Sequence, residues 1–170
     1  FDNAGTVYTI FVNAVPSLVS YSLVLVLGVK VFGLPSMYST RQALRSSIMP
    51  VICLALGSIA SYALWMRRYM IDELTKDYIK LAKIKGLSSR TIMFRHVLRN
   101  AFVPMAQNLP SSFMLTISGS LLVERFFSVP GMGPLLTDAI TRYDLNMVRG
   151  LVLLYSLLGV FGLFLGDVLM

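Results

Sequence analysis

The sequence predicts an all-α fold, a polytopic membrane bundle of about four spanning helices with one short amphipathic helix outside the bilayer. Three observations carry that prediction. Hydrophobic residues make up 56% of the 170-residue chain and charged residues 14%, with a mean hydropathy of +0.73, more apolar surface than a soluble domain of this size can hide. Four runs lack Asp, Glu, Lys and Arg: Asn3 to Val29, Ser46 to Met66, Asn100 to Val123 and Gly150 to Gly166. Each is close to the roughly 17–25 residues that cross the hydrocarbon as a helix. Finally, nine of the fifteen Lys and Arg residues (Arg67, Arg68, Lys76, Lys80, Lys83, Lys85, Arg90, Arg95 and Arg99) fall in one stretch between two of those runs. Cations gathered beside spans mark the cytoplasmic side, where they also lie against anionic head groups. The net charge of +7 therefore belongs mainly to one loop and argues against a nucleic-acid partner.

In chain order, the first span is expected at 8–32, with Pro16 near one end and Lys30 snorkelling at the other. A polar connection with Arg41 and Arg45 leads to a second span at 47–66. Its small-residue row, Gly57, Ser58, Ala60 and Ser61, suits close packing, and Trp65 before Arg67 and Arg68 marks an interface. The cytoplasmic loop, 67–100, holds the amphipathic segment. Tyr78, Ile79, Leu81 and Ala82 recur at helical spacing among Lys76, Lys80, Lys83 and Lys85, and Gly86 then interrupts. Glycine there is placed to turn left-handed and close the helix, with Leu87 folding back on the last turn. Ser88 or Ser89 caps a second helix, Arg90 to Asn100. The third span, 101–123, carries Pro104 and Pro110, whose freed carbonyls need neighbouring helices or a watered cavity. Gln107, Asn108, Ser111, Ser112, Thr116, Ser118 and Ser120 line it and serve either helix packing or a pathway. An outer loop, 124–148, turns at Pro130-Gly131 and Gly133-Pro134 before a short helix, Leu135 to Thr141. A fourth span, 149–169, has Gly162 and Gly166 at the spacing of a close crossing. Both ends then lie on the cytoplasmic side, and the chain, starting without Met, reads as one transmembrane domain from the C-terminal part of a longer protein.

Chemistry within the chain is sparse. No HExxH, CxxC, GxSxG or phosphate-binding GxxxxGK[ST] pattern occurs, so no catalytic residue, metal site or bound cofactor is expected. His96 and Cys53 read as packing residues. An intramembrane enzyme would need paired carboxylates or His within the spans, and these are lacking.

The run Tyr78-Ile79, Ala82-Lys83, Lys85-Gly86-Leu87, followed by Arg95-His96, Arg99-Asn100-Ala101 and Pro104, resembles the cytoplasmic loop of ABC-importer permease subunits of the binding-protein-dependent oligopeptide and dipeptide family. Lys80 and Leu81 depart from the general pattern of such loops, which has Glu and a small residue there. A second block, Glu124, Phe127-Ser128, Pro130-Gly131 and Gly133, resembles the family's E-x-x-F-S-x-PG-x-G segment. The resemblance implies a pore-forming subunit of an ATP-driven peptide importer that works by alternating access in a prokaryotic cell membrane. It further implies a homologous second permease subunit, two cytoplasmic ABC ATPase subunits that hold the ATP and Mg, and an extracytoplasmic solute-binding protein. Tyr78, Ile79, Lys80, Ala82, Lys83, Lys85, Gly86 and Leu87 are the expected ATPase-coupling residues, with Tyr78, Ile79, Ala82 and Leu87 as the contact. Glu124, Phe127, Pro130, Gly131 and Gly133 are expected at an outer gate or docking loop. The motifs report coupling rather than cargo, so nickel or another small solute is an alternative, as is a membrane anchor whose basic loop only binds lipid or a protein.

Overall fold

The computed structural model describes residues 2–168, and every regular element among them is helical. Helix α1 (Asp2–Ala14) and helix α2 (Ser17–Phe32) meet at a 109° bend. The stretch 8–32 expected as one span is therefore two helices. Pro16, at φ −54° and ψ 134°, causes the break: it has no N–H for the ladder and pushes the residue before it out of the α region. Helix α1 lies along helix α3 (Ala43–Leu74), where Tyr8 donates to the carbonyl of Leu56 at 2.8 Å and Arg67 bonds the Thr6 hydroxyl.

Helix α3 runs on past the expected end at 66. Nothing between Met66 and Leu74 breaks a helix, and Met70 is held by packing from below, so the first part of the predicted loop extends the span instead. Its 32 residues reach about 48 Å at 1.5 Å per residue. Helix α4 (Asp77–Ile84) follows. A single turn α5 (Ser89–Thr91), a π-helical stretch Ile92–Leu98 and helix α6 (Arg99–Ile117) then form one unbroken rod, with Pro104 and Pro110 inside it. The boundary expected near residue 100 is absent, and the rod ends at Ser118-Gly119 rather than at 123. Two short helices, α7 (Leu121–Phe126) and α8 (Met132–Thr141), lead to α9 (Leu145–Val168). Helix α8 starts three residues before the expected Leu135, because Pro134 is tolerated in a first turn that has no use for its N–H. Helix α9 also begins early, at Leu145, where the Asp144 carboxylate accepts the Met147 N–H at 3.0 Å. Residue 169, the expected end of the fourth span, lies outside the described residues.

By length and apolarity, α3 with its preceding turn (Thr40–Leu74) and α9 can each cross a bilayer, and the bent pair α1–α2 adds a third crossing if it is one broken span. The polar face of α6 keeps it out of that group, and its place is set by α9. There Gly162 and Gly166 fulfil the expected close crossing: a Cβ on Gly162 would stand 2.7 Å from Ser111 Cα, and one on Gly166 2.1 Å from the Gln107 carbonyl oxygen. Gly166→Val is accordingly expected to force the two backbones apart, a change that costs roughly 1–3 kcal/mol in a packed interior. A lower midpoint in thermal unfolding of the detergent-solubilised protein checks this, with Gly159→Val, which meets nothing within 4 Å, as the comparison. The row in α3 behaves differently from its expected packing role. Only Ala60 is buried, Gly57 has open space around it, and Ser58 and Ser61 face a cleft.

Candidate functional site

Two glycine-built junctions lie near opposite ends of α3, one beside Met70 and the other beside Met49. Along the helix these residues are roughly 32 Å apart at 1.5 Å per residue, close to the hydrocarbon thickness of about 30 Å.

The first junction is α4 and its elbow. At its C-terminus Gly86 takes φ +75°, the Leu87 N–H donates to the Ala82 carbonyl at 3.2 Å, and the Gly86 N–H donates to the Lys83 carbonyl at 3.0 Å. This is the Schellman closure the sequence implies. Nothing lies within 4 Å of a Cβ placed on Gly86, so the constraint is the backbone conformation alone. Ser88 then caps the rod, accepting the Thr91 N–H at 3.3 Å. Tyr78 ties three elements together. Its hydroxyl donates to the Glu73 carboxylate at the end of α3 and accepts from the Asn100 amide at 2.8 Å, with the His96 ring beside it. Burial, and after it the bond to Glu73, pushes the Tyr78 phenol above its ordinary range, so it stays protonated and able to donate.

The faces of α4 differ from the expected arrangement. Ile79, 0% exposed, and Ala82, 6% exposed, point inward and pack on Ile92 and Val97 of the π-helical stretch. They hold α4 to its own chain and are not free to form a partner contact. Exposed instead are Leu81 at 58% and Ile84 at 82%, with Leu87, Lys80, Lys83 and Lys85 around them. Lys80 pairs with Asp77 at 2.8 Å in a solvated bridge worth little on its own. Neither Leu81 nor Ile84 was picked out from the sequence as a contact, although their i,i+3 spacing marks a second apolar stripe.

The second junction is built on Glu124. Its Oε1 accepts the Ser120 N–H at 3.0 Å, and its Oε2 accepts the Gly133 N–H at 2.9 Å, which sets the carboxylate at the positive end of α8. Three glycines make the room. A Cβ on Gly119 would stand 2.5 Å from Oε1, one on Gly131 2.4 Å from Oε2, and one on Gly133 2.6 Å from Leu121 Cα. Gly119 also needs its φ of +87°, whereas Gly131 is extended at −157° and is required only for space. Gly119 is the member of this cradle that sequence reasoning missed, since it lies five residues upstream of the Glu124 motif. Phe127, expected at an outer face, is 1% exposed and packs with Met49, Cys53 and Val123, while its carbonyl accepts the Tyr38 N–H at 2.8 Å. It anchors the segment, and only Pro130 of the expected set is fully on the surface. Tyr155 of α9 donates to the Met132 carbonyl at 2.9 Å and fixes the start of α8 from the other side.

The chain matches the family described as "Binding-protein-dependent transport system inner membrane component" over residues 1–170. It is 33% identical over 171 residues to the oligopeptide transport system permease protein AmiC of Streptococcus pneumoniae serotype 4, covering 99% of this chain and 34% of that protein. It is 37% identical over 120 residues to the dipeptide transport system permease protein DppB of Bacillus subtilis, covering 71% and 39%. With the oligopeptide transport system permease protein OppB of Salmonella typhimurium it shares 34% identity over 145 residues, covering 85% and 47%. The chain thus spans between about a third and a half of the length of these curated relatives.

Proposed function

The chain belongs to the family of inner membrane components of binding-protein-dependent transport systems, and from that premise we propose that it forms the pore side of an ATP-driven peptide importer working by alternating access. Its partners in this reading are a second, homologous permease subunit, two ABC ATPase subunits that carry ATP and Mg, and an extracytoplasmic solute-binding protein. In this reading α6 crosses beside α9, the cationic junction of α4 lies on the cytoplasmic side, and the Glu124 junction lies at the outer surface with both chain ends inside. Peptide as cargo follows the oligopeptide and dipeptide permeases to which the chain is similar.

The observation that carries the proposal is mechanical continuity. Helix α4 is bound by its buried face to the π-helical stretch, and that stretch is the same rod as α6, which ends at Gly119 in the Glu124 cradle. A displacement of α4 by an ATPase subunit therefore moves the rod as a body, because packed interfaces shift between discrete arrangements rather than deforming smoothly. Leu81, Ile84 and Leu87 are the apolar contact this reading assigns to the ATPase, with Lys80, Lys83 and Lys85 orienting it.

Gly86→Val tests the coupling in the full-length permease assembled with its partners. A β-branched residue at φ +75° costs roughly 1–2 kcal/mol or moves the elbow. That shifts the seated population by about 5–30-fold. Peptide uptake and peptide-stimulated ATP hydrolysis should fall together by such a factor, while membrane abundance holds. Lys80→Gln, which loses only the solvated pair with Asp77, should stay within about twofold. Normal coupled uptake in Gly86→Val sinks the coupling role of the elbow.

A further inference from the structure

We propose that the uncharged cleft between α3 and α6 is the surface on which an extended peptide touches this subunit during passage, and that it engages the peptide backbone without reading side-chain charge. The inference rests on the importer reading and adds to it the residues and their selectivity. Ser58, Ser61 and Tyr62 from α3 face Asn108, Ser112 and Thr116 from α6 across a space of about 490 Å³. Ser61 and Tyr62 follow Ser58 by three and four residues, and Asn108, Ser112 and Thr116 stand four apart, so each set lies on one face of its helix and the two polar faces converge on one cleft. No Asp, Glu, Lys, Arg or His lines it, although the chain holds 15 cations and 8 anions.

The dimensions suit a short chain segment. From Ser58 to Tyr69, which also lines the cleft, α3 rises about 16 Å at 1.5 Å per residue. Four to five residues of extended peptide cover the same length at about 3.3 Å each. The polar groups suit a backbone. Asn108 spends one amide proton on the Pro104 carbonyl at 3.0 Å, and Thr116 donates its own to the Ser112 carbonyl at 2.8 Å. Their oxygens are left to accept the N–H that every non-proline peptide unit presents. A fixed charge in this low-dielectric wall would hold one class of side chain and repel another, whereas passage needs binding weak enough to release. Neutral hydroxyl and amide groups meet both needs for peptides of any charge.

The test uses the full-length permease, made cysteine-free and assembled with its partner subunits. Ser61→Cys and Ser112→Cys should react with a cationic, membrane-impermeant thiol reagent at least about tenfold faster than Leu153→Cys, which is 62% exposed on the apolar flank of α9. A peptide differing only in a central Glu, Gln or Lys is then taken up by wild type and by Ser112→Asp. Relative to the Gln peptide, the variant should lower uptake of the Glu peptide by about tenfold and not that of the Lys peptide, because like charges brought together are strongly disfavoured. Equal factors for all three peptides overturn the inference, as does a reaction of both cysteines no faster than that of Leu153→Cys. If the cleft cysteines react while wild type takes up none of the peptides, the cleft is watered and the peptide reading is what fails.

Discussion

Ala82→Glu is expected to unseat α4 and reduce uptake to background, the largest effect of any single substitution on the coupling side. Ala82, 6% exposed, packs on Ile79, Ile92 and Val97. An unpaired carboxylate in such a place costs several kcal/mol, and the eight residues of α4 have little helical stability of their own once detached, being well short of the roughly 12–15 an isolated helix needs. In membrane vesicles with this loop accessible, trypsin should cut at Lys80, Lys83 and Lys85 at least about tenfold faster than in wild type, since cleavage tracks the open population. Membrane abundance should be unchanged. Leu81→Glu, on the exposed stripe, separates the two faces: cleavage should match wild type while association with the ATPase subunits weakens. Opposite outcomes for the two variants would reverse the assignment of inner and outer faces.

The second large effect is expected from Gly133→Ala. Its Cβ would stand 2.6 Å from Leu121 Cα and 3.0 Å from Leu121 N, and backbone cannot rotate away as a side chain can. The start of α8 must therefore leave α7, which also breaks the Gly133 N–H bond to Glu124. Overpacking costs typically 1–3 kcal/mol, and a backbone clash with a lost charge-assisted hydrogen bond puts this case at or above the upper end. Thermal unfolding of the solubilised complex should show a clearly lower midpoint, and uptake should fall by about tenfold or more. Gly57→Ala, with nothing within 4 Å, should change neither. Glu124→Gln should fall between them, because an amide keeps one acceptor oxygen and turns its NH₂ toward the other N–H donor. A Gly133→Ala protein as stable and active as wild type would mean that the cradle is not closed in the working transporter.

Local rules made several of these features legible from sequence. Composition and the spacing of charges determined an all-α membrane protein, since no soluble core could absorb so apolar a chain. Gly86 between an amphipathic run and Ser88 determined the left-handed elbow, because the Schellman closure involves only neighbours in the chain. The four-residue step from Gly162 to Gly166 determined a close crossing, though not that Gln107 and Ser111 would be its partners.

Where two local solutions were equally good, only the tertiary structure decided. Helix α4 carries two apolar stripes, Ile79 with Ala82 and Leu81 with Ile84, and no helical wheel says which one the π-helical stretch covers. Its packing places the first inside and leaves the second exposed, so Ile79 and Ala82, expected as partner contacts, are buried within the chain while Leu87 stays exposed. Pro16 lies in the stretch 8–32 that reads from sequence as one span. Pro16 breaks the helix there, and α1 and α2, meeting at 109°, each pack on α3. Phe127 looked like a loop aromatic until Met49 and Cys53, more than seventy residues away in sequence, supplied its pocket. The same holds for Glu124: a motif of glycines around an acid states that room is needed, but the two N–H groups that fill the room come from Ser120 and Gly133, brought together only when α7 and α8 fold back on one another. Sequence determines what each segment can do alone, and burial, which depends on segments distant in the chain, decides which of those possibilities is used.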